Sequence, residues 1–418
     1  MNIKNCSVVR DLHTMKPSAL PIMPASKADS GPPAALKNWP VLRLGFRPFY
    51  IGTALLACLS VPLWIATFAG WLTLSFPITA LLWHAHEMLF GFAAGVIAGF
   101  LLTAVKAWTG LATPRGASLG ALFVLWLAAR IAGMTGPYVI YAALDVLLLP
   151  VVAVILLRVL IRAKNRKNLP LIGVLLLLGG ANAAFHLSVM GVLHIDPVQT
   201  LYAGLAMIVM IESVMAGRVV PAFTMSVTPG LKIKIPRWSE LTTLAVTAVA
   251  LALWVLAPPG PVTFVACVLA AVLHAVRLAQ WHPWVTRKRP ILWILHLSYA
   301  WVVVGFVLLA LVQLGWIAVS PAVHALAVGT TGGLIIGMIT RTARGHTGRQ
   351  LQVSSPEVLA YVLVMAAGLL RVLVPVAAPQ WYVVALAVAA LAWSLAFAIY
   401  LVIYTPWLLH TRADGKDG

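Results

Sequence analysis

The residues with the clearest capacity for chemistry are histidines inside apolar sequence. His84 and His86, in Trp83-His84-Ala85-His86-Glu87-Met88, open one apolar run. His186 ends the segment Ala181-Asn182-Ala183-Ala184-Phe185-His186, and His324 starts another run. Imidazole is the commonest transition-metal and haem ligand and ligates while neutral, which lowers the cost of placing it in hydrocarbon. Metal binding is therefore the chemistry these positions suggest. The alternative for each one is an ordinary hydrogen bond between helices. A second group comprises His274, His296 and His346.

Spacing limits how these residues can combine. His84 and His86 lie two apart, about 200° around an ideal helix, so one regular helical face cannot offer both to a single ion. Either the run begins with an irregular turn or the two serve different centres. Glu87 could orient an imidazole, ligate copper, or simply place favourable charge at a helix N-terminus. Asn182, four residues before His186, and Tyr299, three after His296, share a helical face with those histidines and are candidate supports for them. Glu212 stands in the middle of an apolar run, where a carboxylate is costly unless neutral, paired or facing water; it is a candidate proton or ion site. Arg341, Arg344 and Arg349 surround Gly345-His346-Thr347-Gly348 and could hold haem propionates as bidentate donors. Glycines every fourth residue (91, 95, 99 and 329, 333, 337) permit close approach of a second helix or of a flat macrocycle.

The elements that position these groups follow from composition. Hydrophobic residues make up 62% of the chain and charged residues 9%, with a mean hydropathy of +0.98; soluble domains carry about 25% charged residues. The expected fold is all-α, a polytopic bundle of about twelve transmembrane helices forming one domain over 41–408. A disordered N-terminal tail over 1–40 and a short tail over 409–418 flank it. Apolar runs place the spans near 49–72, 83–105, 117–134, 138–161, 169–190, 198–217, 239–257, 262–280, 291–315, 321–340, 357–374 and 381–405. The net charge of +19 need not mean nucleic acid, because Lys and Arg fall in alternate loops. These are Lys106 and Arg115; Arg162 to Lys167; Lys232, Lys234 and Arg237; Arg287 to Arg289; and Arg341 to Arg349. The intervening loops contain none, which predicts both termini on the cytoplasmic side. The topology puts His84, His86, His186 and His324 in the outer half of the membrane, with His194 in a nearby loop, and His274, His296 and His346 in the inner half. The three cysteines, Cys6, Cys58 and Cys267, have no metal-type or redox-type spacing.

Taken together, the motifs resemble the NnrS family. They are Leu44-Gly45-Phe46-Arg47-Pro48-Phe49; Trp83 to Met88 continuing to Gly99-Phe100-Leu101-Leu102-Thr103-Ala104; Ala181-Asn182 with His186; Gly217-Arg218 with Pro221 and Phe223-Thr224; Leu292-Trp293 with Leu295-His296 and Tyr299; His324 with Gly329; and Arg341 with Gly345 to Arg349. The resemblance implies a bacterial inner-membrane protein carrying haem and copper, associated with denitrification and with tolerance of nitric oxide. It makes His84, His86, His186, His296, His324 and His346 candidate ligands, without dividing them between haem and copper. Nitric oxide is the implied small-molecule ligand and membrane lipid the surroundings.

Two other classes compete. A proton-coupled secondary transporter would suit about twelve spans and a buried Glu212, although no internal repeat is visible. A subunit with only binding duties in a denitrification complex would tolerate loss of every membrane histidine. A haem-copper oxidase core is disfavoured, since it pairs adjacent histidines and this chain has no His-His dipeptide.

Overall fold

Apolar stretches of 19 to 31 residues with almost no charge can satisfy their backbone in hydrocarbon only as helices, and the described residues form twelve of them. In the computed structural model, residues 39–74 and 76–416 are described; they contain helix and connecting loops but no strand. All but the last two residues of the expected N-terminal tail lie outside the described residues. The helices are α1 (Phe46–Phe68), α2 (Ala80–Thr109), α3 (Ala117–Thr135), α4 (Tyr138–Arg162), α5 (Arg166–Val189), α6 (Pro197–Val227), α7 (Arg237–Leu256), α8 (Pro261–Gln280), α9 (Pro290–Gln313), α10 (Val319–His346), α11 (Ser355–Ala377) and α12 (Pro379–Leu409).

Local chemistry sets the helix starts. Asp196 caps α6 by accepting from the Val198 amide, with Pro197 in the first turn. Ser354 and Glu357 form a capping box at α11. Expected and observed spans differ most at two ends. Helix α6 continues through Pro221 to Val227, and α10 continues past residue 340 to His346. His346 thus ends a helix rather than sitting in a loop. The extension of α10 is possible because its arginines are paired or stacked as they leave the apolar layer. Arg344 makes a two-point ion pair with Glu357, at 2.8 and 2.5 Å. Arg341 lies 3.7 Å over the Phe223 ring, and Arg349 lies 4.3 Å over Trp407. Gly348 closes the turn with φ of +75°, and a side chain there would strike Asp414. Arg412 holds that carboxyl well below the usual range and donates to the His346 carbonyl.

The loops carrying Lys and Arg all follow even-numbered exits from one end, called here the basic end; the loops of the opposite end contain neither. Exposed tryptophans ring both ends, Trp71, Trp316 and Trp381 at one and Trp238 and Trp284 at the other, as interfacial anchors. This is a multi-pass membrane protein. Glycine stripes serve helix packing: a Cβ on Gly95 would meet Thr53 and Trp126, one on Gly99 would meet Phe49, and one on Gly329 would enter the Trp301 ring.

Glu357 is buried at the basic end between Arg344 and Tyr404. Removing one partner of a buried ion pair costs about 3–5 kcal/mol, because the other charge is stranded. Glu357→Ala should therefore lower the unfolding temperature in detergent well below wild type, and Glu357→Ala/Arg344→Met should recover part of the loss. Equal melting of wild type and the single variant would remove this pair from the account of the fold.

Candidate functional site

Helices α2 and α10 share an irregularity. Each winds as a π-helix directly after a histidine, over Glu87–Ala93 in α2 and Ala325–Gly332 in α10. Such wide turns are frequent at functional sites. In α2 the wide turn leaves the Gly91 carbonyl to accept from the Trp126 indole at 2.9 Å. The short α-helical turn before it, Ala80–His86, carries both histidines, and they do point to different places.

His86 points toward α3, α4 and α5. Its Nε2 lies 3.3 Å from Asp145 Oδ2 and 2.9 Å from Asn182 Oδ1. His186 Nε2 lies 3.3 Å from the same Asp145 oxygen. His86, Asp145 and His186 offer ligand atoms all within 4.8 Å of one another, the one grouping of this kind among the described residues. Two ligands at about 2.0–2.1 Å from a tetrahedral ion are separated by about 3.3–3.4 Å, which matches both measured edges. Around the triad, Arg130 bonds Glu87 Oε2 at 2.6 Å and pairs with Asp145 Oδ1. Tyr141 bonds His86 Nδ1 at 2.6 Å and Glu87 Oε1 at 2.9 Å, and Tyr138 bonds His186 Nδ1 at 2.8 Å.

Tracing donors around this network assigns the hydrogens. Tyr141 gives its proton to Glu87, so it accepts from His86 Nδ1–H. Asn182 donates its amide to Asp145 Oδ2 at 2.6 Å, which turns its Oδ1 toward His86. His86 Nε2, Asn182 Oδ1 and Asp145 Oδ2 are then three electron-pair donors converging on one spot. Two carboxylates against one guanidinium also leave an excess of one negative charge in a buried cluster. Both facts call for a cation, either a metal ion or a proton on His86. Gly91 makes the room: a Cβ there would fall 2.6 Å from Arg130 Nη1 and 2.7 Å from Glu87 Oε2. Gly91→Ala should displace Arg130 and lower metal retention at the triad by about tenfold or more, as losses in supporting contacts do; unchanged metal content would separate the arginine from ion binding.

His84 points the other way, into a cavity of about 450 Å³ among α1, α2, α6, α10, α11 and α12. His324 lines the same cavity, with Arg371, Trp64, Phe92 and Trp393. The His84 ring stacks on Trp64 at 4.1 Å, and its buried Nδ1 has no hydrogen-bond partner. His324 Nδ1 donates to the Ser320 carbonyl at 2.8 Å, which leaves Nε2 basic; Arg371 donates to it at 2.9 Å. Cavities of this size with apolar walls and a few convergent polar groups suit a cofactor or small molecule. An orphaned imidazole nitrogen, a second basic imidazole and a buried guanidinium able to grip a carboxylate are a donor set that fits haem.

The remaining candidates fall elsewhere. His274 is held at both nitrogens, by Thr247 and by Tyr299. Tyr299 also accepts from Arg277, which pairs with Glu240; its contacts go to His274 and Arg277 instead of His296. His296 bonds Thr224 at 3.0 Å through Nε2, and its Nδ1 has no partner. Asn182 contacts His86 across the helix interface rather than serving His186 on its own helix. His346 packs on Phe46 at the basic end, away from both outer-half groups. His194 is exposed in its loop. Glu212 accepts from Thr331 at 3.0 Å. The expected gathering of four outer histidines thus divides into two pairs, His86 with His186 and His84 with His324.

Asp145, Arg130, Arg371, Tyr138 and Tyr141 were not anticipated. A signal for the first three existed, since ionisable residues inside spans are functional candidates by default. Residues 40–412 match the family described as NnrS protein. The chain belongs to the NnrS family. No curated protein and no solved structure matches it. The NnrS match runs from just before α1 to just beyond α12, so it includes both histidine pairs and both π-helical turns.

Proposed function

We propose that this NnrS-family chain is a haem- and copper-binding protein of the bacterial inner membrane, with its basic end in the cytoplasm, that raises tolerance to nitric oxide. The observation that carries the reading is the split of His84 and His86 into two different centres within one turn of α2. One centre is a small, charge-deficient His/Asp/His cluster suited to a single ion. The other is an apolar cavity with imidazoles and a buried arginine, suited to a macrocycle. Imidazole with carboxylate is a copper-compatible set, as it is for zinc or iron, so the choice of copper rests on the family. Haem and copper, when bound, supply redox-active metal able to take nitric oxide as a ligand.

The residues of the chain would do the rest. Tyr141 and Tyr138 hold the two imidazoles of the triad by their outward nitrogens, and Arg130 clamps both carboxylates. Trp64 fixes the plane of His84, and Ser320 fixes the tautomer of His324. The walls of Leu, Val, Phe and Trp exclude bulk water while admitting a small neutral gas that partitions into apolar surroundings. The basic end belongs in the cytoplasm by the charge of its loops.

The test joins composition to physiology. Protein purified from membranes is analysed for haem and copper, and cells lacking the gene are complemented with wild type or with His86→Ala/His324→Ala and challenged with a nitric oxide donor. Cofactors in the wild type, and survival restored by it but not by the double variant, are expected. A metal-free wild type, or full protection by a stably inserted double variant, would overturn the reading.

A further inference from the structure

Glu212 has a neighbourhood of its own. It sits halfway along α6 and accepts from Thr331 at 3.0 Å. Thr331 belongs to the π-helical turn of α10 and lines the 450 Å³ cavity that holds His84 and His324. Glu212 lines a second cavity, of about 80 Å³, on the basic-end side. The pair is thus a polar link between two cavities.

The smaller cavity is otherwise apolar. Its lining residues from α2, α9 and α10 are hydrocarbon apart from the Met338 thioether, and Tyr50 on α1 is the other titratable one. Its volume accommodates two or so water molecules at about 30 Å³ each, provided polar groups anchor them, as Glu212 and Tyr50 can. Beyond Tyr50 a column of phenols leads to the basic end. Tyr400 buries its hydroxyl without a hydrogen-bond partner and stacks on Tyr404 at 4.6 Å, and Tyr404 bonds Glu357. Glu357 accepts from the amide and hydroxyl of Ser354, each at 2.7 Å, at the start of α11.

We propose that Glu212 and Thr331 form a proton relay that carries protons from the basic-end half of the bundle into the His84/His324 cavity. A hydronium ion in the smaller cavity, a water that has taken up a proton from the basic-end side, protonates the Glu212 carboxylate and returns to water. The threonine O–H, which donates to Glu212 in the structure, turns toward the larger cavity; the carboxylic acid then gives its proton to Thr331 Oγ1 as the threonine O–H proton passes to a water molecule in the larger cavity. The hydroxyl keeps its covalent bond to carbon, no electron is transferred, and Glu212 returns to carboxylate, ready for the next proton. The relay needs no metal and stands whether or not haem occupies the larger cavity.

Infrared difference spectroscopy on full-length protein, oriented in proteoliposomes, tests this directly. Glu212→Gln identifies the carboxyl band by its disappearance, and Glu212→Asp restores a shifted band if the glutamine variant folds poorly. The pH is stepped on one side at a time. The wild-type band is expected to follow pH on the basic-end side. In Thr331→Val that response should persist, while any response from the opposite side slows at least tenfold, and Thr331→Ser should restore it. A band deaf to the basic-end side overturns the relay. So does opposite-side access that Thr331→Val leaves unchanged; a band reached from the two sides in alternation would point to a secondary transporter instead.

Discussion

Asp145→Asn is expected to empty the triad of metal while leaving the helices in place. The substitution keeps the shape of the side chain, so His86, His186 and Asn182 retain their positions. It removes the oxygen charge that stands 3.3 Å from both imidazole Nε2 atoms. It also takes the buried count from two carboxylates and one guanidinium to one of each. A cluster with no excess negative charge has no electrostatic need for a cation, and the loss of a direct ligand exceeds the 10–100-fold typical of supporting contacts. Metal content per protein, measured after dialysis against a chelator, should fall by about 100-fold in affinity terms. Thermal unfolding should show the variant folded. The contrary result is informative in chemical terms: a wild type without metal, and an Asp145→Asn variant of equal or greater stability, would assign the missing positive charge to an imidazolium at His86. The triad would then be a polar brace between α2, α4 and α5.

The second large effect concerns the cavity. His84→Ala and His324→Ala should each abolish or shift the haem signature in a reduced-minus-oxidised optical spectrum, whereas His274→Ala should leave it unchanged. The contrast follows from position. His84 and His324 line the cavity, whereas His274 lies outside it, held by Thr247 and Tyr299. His84 has a buried Nδ1 without a partner, which costs free energy unless something binds there. Arg371→Gln should loosen haem without removing the ligands, shortening its retention while preserving the shape of the spectrum. Spectra identical across wild type, His84→Ala and His324→Ala would exclude this cavity as the haem site and move attention to His296, whose Nδ1 is also unpartnered.

The spans were legible because hydrocarbon imposes one solution on an apolar run: a helix that closes its own hydrogen bonds. Sequence and structure part at the ends of α6 and α10, where the helix outruns the apolar run into a segment holding a proline or an arginine. Pro221 is accommodated within α6, and Arg341 is accommodated by the Phe223 ring. The separation of His84 from His86 was also legible, since two residues turn a helix by about 200°. Which partner each would meet was not, because spacing along one helix says nothing about which other helix lies opposite. Tyr299 makes the point: it shares a face with His296 yet bonds His274 on α8. Arg130, Asp145 and Arg371 are single ionisable residues inside apolar runs, and nothing in their spacing ties them to the side chains they meet across helices.

The wide turn of α2 has a consequence for register. A π-helical turn is an α-helix with one residue too many, and that residue offsets everything before it by about 100° relative to everything after. Below the turn, Gly95 and Gly99 set the angle of α2 by packing on Trp126, Thr53 and Phe49. Above it, His84 and His86 face their two centres at an angle the glycines do not dictate. The wide turn works as a phase joint, letting packing and ligation be specified separately on one continuous rod. Deleting a single residue between Glu87 and Ala93 would restore regular winding and swing both imidazoles away from both centres at once, though it would remove neither histidine.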